Sequence, residues 1–195
     1  MPAARESLLD AAFAALERRP WRRVRMSEVA AAAGVSRQTL YNEFGGKEGL
    51  ARALVRREAD AYLYGVERAL SEGSGAAAPR DRLAAAAVWT VRSATENPLV
   101  RAVLTGCWDE RLPKPVSPSP PGNPAPGPAL DSLPAPGELL GAARDRAVRL
   151  LESDWPPGAV ELPLACEAAT RLALSYVLAP APASDVAHMV RTVLA

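Results

Sequence analysis

The chain has 195 residues, room for one ordinary domain or for a small module joined to a larger one. Its 23 Lys plus Arg nearly cancel its 22 Asp plus Glu, which excludes a uniformly basic nucleic-acid coat or an acidic tail and makes any electrostatic function local. Hydrophobic residues make up 49% and can fill a core, yet no run approaches the roughly 18 consecutive apolar residues of a membrane span. Residues 1–10 lack the pattern of a secretory signal, and two cysteines, Cys107 and Cys166, make no disulfide framework, so a soluble, cytoplasmic protein without membrane association is expected. One histidine and two scattered cysteines leave little for a zinc site, and no metal or cofactor is expected.

Helical periodicity dominates, strict alternation is hard to find, and an all-α fold is predicted. A first helix from about Ala3 to Arg19 aligns Leu8, Leu9, Ala12, Phe13 and Leu16 and ends at Pro20, after which Trp21 and Val24 fold back as an apolar anchor. Residues 1–57 hold 11 basic against 6 acidic groups, with Arg18, Arg19, Arg22, Arg23 and Arg25 crowded together, although such a cluster is often only a solvated face.

Two short helical patterns then meet at Gly34-Val35-Ser36 within residues 26–50. Val29, Ala30 and Ala33 can pack inward from the first, Val35 can plug the corner, and Leu40 with Phe44 can cover the inner face of the second. Gly34 supplies the positive φ of the turn, and Ser36 caps the new helix. This is the grammar of a helix-turn-helix. The opposite surface carries Arg37, Gln38, Tyr41 and Asn42, with Thr39 at its margin, all able to hydrogen-bond base edges or phosphates in a DNA major groove. Lys47 opens the following helix, where ammonium and free N–H groups together suit a phosphate. An ordinary helical hairpin with a polar outside is the plain alternative.

A long helix follows from about Lys47 to Leu70, carrying Leu50, Leu54, Tyr62 and Val66. Pro79 suits the start of the next helix and Asn97-Pro98 interrupts it. The stretch 113–137, with 10 of the 19 prolines, reads as a mobile loop, and its Pro118-Ser119-Pro120-Pro121 as a passive linker rather than a polyproline ligand. Helices are then expected near Glu138 to Ser153, Val160 to Leu178 and Ser184 to Leu194.

Residues 26–50 resemble the DNA-binding domain of TetR-type transcriptional regulators, through Ala33-Gly34-Val35-Ser36, Thr39-Leu40-Tyr41, Phe44 and Lys47-Glu48. The resemblance extends at motif level over about Arg5 to Leu70. It implies residues 1–46 as a three-helix DNA-binding domain and 47–195 as a helical domain for effector binding and dimerisation. Carried over by position, DNA contacts fall on Arg37, Gln38, Thr39, Tyr41, Asn42 and Lys47, with Ser27 and Arg25 added from the preceding helix, and Arg23 as a further phosphate contact. Ser27 serves equally well as an N-cap. Gln38 stands where glycine is frequent in the family, and Glu43, where a neutral or basic residue is common, repels phosphates unless it accepts from cytosine or pairs with an arginine.

The resemblance further implies a homodimer on a double-stranded DNA operator, released by a small molecule. Stripes of Leu164, Ala168, Leu172 and Ser175, and of Val186, Val190 and Val193, are the candidate dimer contacts, unless they are buried within the monomer. Trp89, Arg92, Cys107, Trp108 and Tyr176 are the candidate lining for an apolar or amphipathic effector, although core packing explains each of them too. Rival readings are a helical protein-interaction module that has lost DNA binding and a small enzyme using Cys107 or His188, for which no supporting motif accompanies the residues.

Overall fold

The computed structural model describes residues 2–72, 77–114 and 135–194. Among them are nine α-helices, one 3-10 turn and no strands, an all-α fold. In chain order these are α1 (Pro2–Arg18), the 3-10 turn (Trp21–Arg23), α2 (Met26–Ala32), α3 (Arg37–Phe44), α4 (Lys47–Ser71), α5 (Pro79–Glu96), α6 (Pro98–Thr105), α7 (Pro136–Leu151), α8 (Leu162–Leu178) and α9 (Ala183–Val193). They form two compact units. The first holds residues up to 57 with 108–114, and the second holds 58–107 with 135–194, so α4 contributes to both.

Prolines mark the starts that their chemistry favours. Pro79, Pro98 and Pro136 stand in the first turns of α5, α6 and α7, where no N–H is needed and φ is already helical. Asn97 does more than interrupt. Its extended backbone ends α5, and its side chain accepts from the N–H of Leu99 (2.9 Å) and Val100 (3.3 Å), starting the short α6 at once. α7 begins two residues before the expected Glu138, because Pro136 serves as a helix starter and the Glu138 carboxylate accepts from the N–H of Ala135 (2.8 Å). α8 begins after the expected Val160, whose carbonyl instead accepts from the Trp155 indole (2.8 Å). Of the proposed loop at 113–137, residues 115–134 lie outside the described residues, Pro113 is buried, and Pro136 and Gly137 are helical.

In the second unit α5 packs against α6, α8 and α9, and α7 packs against α8. Its buried face runs through Leu83, Ala87, Val91 and Ala94, and includes one charge, Arg82, only 3% exposed. The guanidinium donates to the Leu70 carbonyl at the end of α4 (2.5 Å) and to the Leu150 carbonyl at the end of α7 (3.0 Å), and it meets the Asp154 carboxylate at 2.7 Å. Helix ends leave carbonyls without intrahelical donors, and a cation there also complements the dipole, so one side chain closes two helices. Arg82→Ala is expected to lower stability by about 3 kcal/mol, since two carbonyls lose their donor and Asp154 loses its partner. Lys in its place recovers less than half in denaturant melts, because an ammonium lacks the planar fork.

Two buried acids predict alkaline behaviour. Burial pushes the Tyr62 hydroxyl from 10.0 up to about 12, and the Cys166 thiol from 9.0 up to about 12. Both folded values exceed the unfolded ones, so their stabilisation is complete below about pH 9 and is lost as pH rises toward 12. The melting temperature should therefore fall across that window, and Tyr62→Phe should flatten the fall by the equivalent of roughly 2 kcal/mol.

Candidate nucleic-acid interface

The corner between α2 and α3 is built as its residue types require. Val29 and Ala30 are buried, the Val35 N–H reaches the Ala30 carbonyl at 3.0 Å, and Gly34 takes φ +68°, a left-handed value that would strain any side chain. Ser36 is extended and accepts from the Thr39 N–H at 3.0 Å, capping α3, while Leu40 and Phe44 bury its inner face. The end of α3 is pressed against the start of α4. A Cβ on Gly49 would collide with the Phe44 backbone carbonyl, so only glycine permits that approach.

With that face inward, Arg37, Gln38, Thr39, Tyr41 and Asn42 are all exposed, Tyr41 with 43% of its surface. They are not equally free. Thr39 shares a hydroxyl hydrogen bond with Ser36 at 2.8 Å, and the Gln38 amide donates to the Asn42 carbonyl oxygen at 2.7 Å. The latter joins the two amides across one helical turn while leaving Gln38 its own oxygen and a second N–H. Arg23 and Arg25 are exposed beside this corner. Arg25, extended at φ −105° and ψ 133°, occupies the cap position of α2 without a side-chain cap bond. The N-cap role considered for Ser27 is thereby corrected, because α2 starts at Met26 and Ser27 already lies within its first turn.

Lys47 stands at the start of α4, but its ammonium is engaged. It donates to the Val24 carbonyl at 2.7 Å and the Arg22 carbonyl at 3.1 Å, and it sits 5.6 Å from the Trp21 ring centroid. Desolvation by burial lowers its pKa below the ordinary lysine value. Two of its three donors thus serve the carbonyls of the 3-10 turn region, and one remains.

Residues 8–54 match the family model described as "Bacterial regulatory proteins, tetR family". A curated relative, the HTH-type transcriptional regulator AlkX of Mycobacterium tuberculosis (strain ATCC 25618 / H37Rv), is 45% identical over 71 residues, 36% of this chain and 34% of that protein. Residues 8–54 are thus similar to the amino-terminal domain of tetR-family regulators. The match thus spans about a third of that curated relative's length. The crystal structure of the TetR family repressor AlkX from Dietzia sp. strain DQ12-45-1b, implicated in biodegradation of n-alkanes, is 25% identical, covers 96% of this chain and 93% of its own, and gives a TM-score of 0.57. FadR from Bacillus subtilis, solved in complex with stearoyl-CoA, shares the fold at 15% identity and a TM-score of 0.55, with 97% of this chain and 96% of that one covered.

The candidates for an effector site divide between the two units. Arg92 is exposed and pairs with Glu96 at 3.5 Å, Cys107 is exposed, and Trp108 belongs to the amino-terminal unit. The Trp89 indole donates to the Tyr62 carbonyl at 3.1 Å, and Arg68 lies 5.6 Å from its ring, while Tyr176 is half-buried. None of these five lines the cavity inside the second unit. That cavity, about 20 Å³, is lined by Tyr62, Val66, Leu83 and Thr90 with six alanines and Thr170, and it holds no more than a water. Alanines, rather than large aromatics, mark where side chains leave space.

The dimer stripes divide similarly. Val186 and Val190 are fully buried in their own unit, where α9 packs on α5 and α8, and cannot meet a second chain. Leu164 is 60% and Val193 50% exposed, Ser175 is exposed, and Ala168 and Leu172 are half-buried. Leu178 and Met189, absent from the sequence candidates, are also exposed. His188 is exposed and Cys166 buried, with its thiol held protonated at neutral pH, and no group of three metal-ligating side chains occurs among the described residues. No helix among them is long and apolar enough to cross a membrane.

Lys47→Met keeps the stem over Trp21 and removes the donors. Thermal melting should show a loss of about 2 kcal/mol, larger than an exposed phosphate-binding lysine would give, and an unchanged melt would return Lys47 to a purely DNA-facing role.

Proposed function

We propose that this protein is a DNA-binding transcriptional regulator that reads a palindromic operator as a homodimer through α3 and is released by a small apolar or amphipathic effector. The observation that carries the reading is the exposed row Arg37, Gln38, Tyr41 and Asn42 on a helix whose other face is locked by Leu40 and Phe44. An α-helix fits the major groove, where amides pair with adenine and guanidinium with guanine. Exposed Arg23 and Arg25, with the remaining donor of Lys47, supply phosphate contacts that set register.

One eight-residue reader contacts too few bases for selective binding, and a two-fold pair presents two, spaced by about one helical turn of DNA or a multiple. The contact surface proposed for that pair is the exposed apolar side of α8 and α9, with Leu164, Leu172, Leu178, Met189 and Val193, joined by Ala168 and Ser175. Burying five large apolar side chains suits a permanent interface. For the effector, the likeness to a repressor implicated in n-alkane degradation and a cavity lined mainly by alanines and aliphatic side chains support an alkyl or acyl chain. Such a ligand requires an opened arrangement of the second unit, and release from DNA follows if the opened state spaces the two readers wrongly.

Selection of duplexes from a random pool by the purified protein tests this reading directly. A palindromic product with affinity falling steeply with salt is expected, and a salt-insensitive protein that enriches no sequence would refute it. On the selected site, Gln38→Ala should cost about 1 to 3 kcal/mol and relax choice at one or two adjacent positions in each half-site. Because Gln38 bonds Asn42, the Asn42→Ala loss should be less than additive with it.

A further inference from the structure

We propose that Arg5 and Glu43 form a specificity-determining pair, in which Glu43 keeps Arg5 away from DNA phosphates and so suppresses sequence-independent binding. The inference rests on the DNA-binding reading given above and names residues outside the reading face. Arg5 lies in the first turn of α1 and Glu43 next to the last residue of α3, yet the guanidinium meets the carboxylate at 2.7 Å. It also lies 4.9 Å from the centroid of the Phe44 ring, so the contact is anchored on a buried side chain.

Neither charge suits its own helix. A cation in a first turn faces the positive end of the dipole, and an anion in a last turn faces the negative end. Each is unfavourable alone, and their mutual contact is what relieves both. The two side chains remain 42% and 33% exposed, so a duplex docked on α3 can reach them. On α3 Glu43 follows Thr39 by four residues, which puts it at the margin of the face carrying Gln38 and Asn42. A bare carboxylate there would repel the DNA backbone, and a bare guanidinium would bind it whatever the sequence. Paired, they cancel, and discrimination is left to the amides and to Arg37.

The test measures affinity for two probes, the duplex selected by the wild-type protein and a random-sequence duplex of equal length, across salt concentrations. Glu43→Gln keeps shape and removes charge. It should release Arg5 to take one more phosphate, tightening random-duplex binding about threefold and steepening the log–log salt slope by about 0.9. The ratio of selected to random affinity should fall. Arg5→Ala should weaken both probes, and the double variant Arg5→Ala with Glu43→Gln should return random-duplex affinity to near the wild-type value. An unchanged salt slope and unchanged ratio for Glu43→Gln overturn the proposal, as does a double variant no better than Arg5→Ala. If the wild-type protein itself binds neither duplex, the DNA-binding reading is at fault and the pair falls with it. Melting temperatures within a few degrees of wild type across the series separate this role from a merely structural one, which would move stability and leave the salt slope alone.

Discussion

The placement of α3 depends on the ammonium of Lys47. Pro20 ends the α1 region, and the chain must turn back within five residues to start α2, a path that leaves carbonyls and N–H groups of the 3-10 turn without helical partners. Lys47 supplies donors to the Arg22 and Val24 carbonyls, and the Arg111 carbonyl accepts the Trp21 N–H at 2.7 Å. Trp21 and Val24 are buried. The ammonium sits at the start of α4, where the helix dipole opposes a cation, and its two strong hydrogen bonds and the indole face offset that cost. Since Gly49 brings the first turn of α4 onto the Phe44 carbonyl, the orientation of α3 inherits whatever fixes α4.

The same turn receives a second strand of connectivity. Residues 108–114 group with the amino-terminal unit although the helices on either side, α6 and α7, group with the other. Asp109 organises that return by accepting from the N–H of Arg111 (2.6 Å) and Leu112 (3.2 Å), a local turn that aims the Arg111 carbonyl at Trp21. Glu110 adds an exposed pair to Arg22 at 3.8 Å, too open to contribute much. Among the described residues the chain crosses between the units along α4 and again at 107–108.

What was legible in the sequence was local. Ser36 and Thr39 are three residues apart, Gly34 and Val35 are adjacent, and Pro79 acts on its own backbone, so these element types followed from chemistry within one turn, whereas the helix starts at Pro98 and Pro136 did not. The exposed row on α3 was legible for the same reason, since burial of Leu40 and Phe44 decides the opposite face. What was missed depends on distant partners. Lys47 finds carbonyls more than 20 residues upstream, Arg82 finds a carboxylate 72 residues away, and Arg5 finds Glu43 across 38. Only the last had a signal, an acidic residue on a helix expected to face phosphates, which called for a cation without saying which one.

The stripes on α8 and α9 show why periodicity stops short of function. A helical spacing of Val186 and Val190 states that one side of α9 avoids water, but α5 of the same unit and a second chain answer that demand equally well. Length and composition cannot choose between them. What distinguishes an interface is apolar surface left over once intramolecular packing is satisfied, and on α8 and α9 the large exposed side chains are Leu164, Leu178, Met189 and Val193, not the whole of either stripe. The aromatic candidates fail by the opposite logic. Trp89 is large enough to fill its own space against Gly65 and Tyr62, so it closes volume, whereas the alanines around Thr90 leave it open. In a helical core, space for a ligand is therefore written in the small residues at contacting positions, and those become visible only when the helices that contact one another are known.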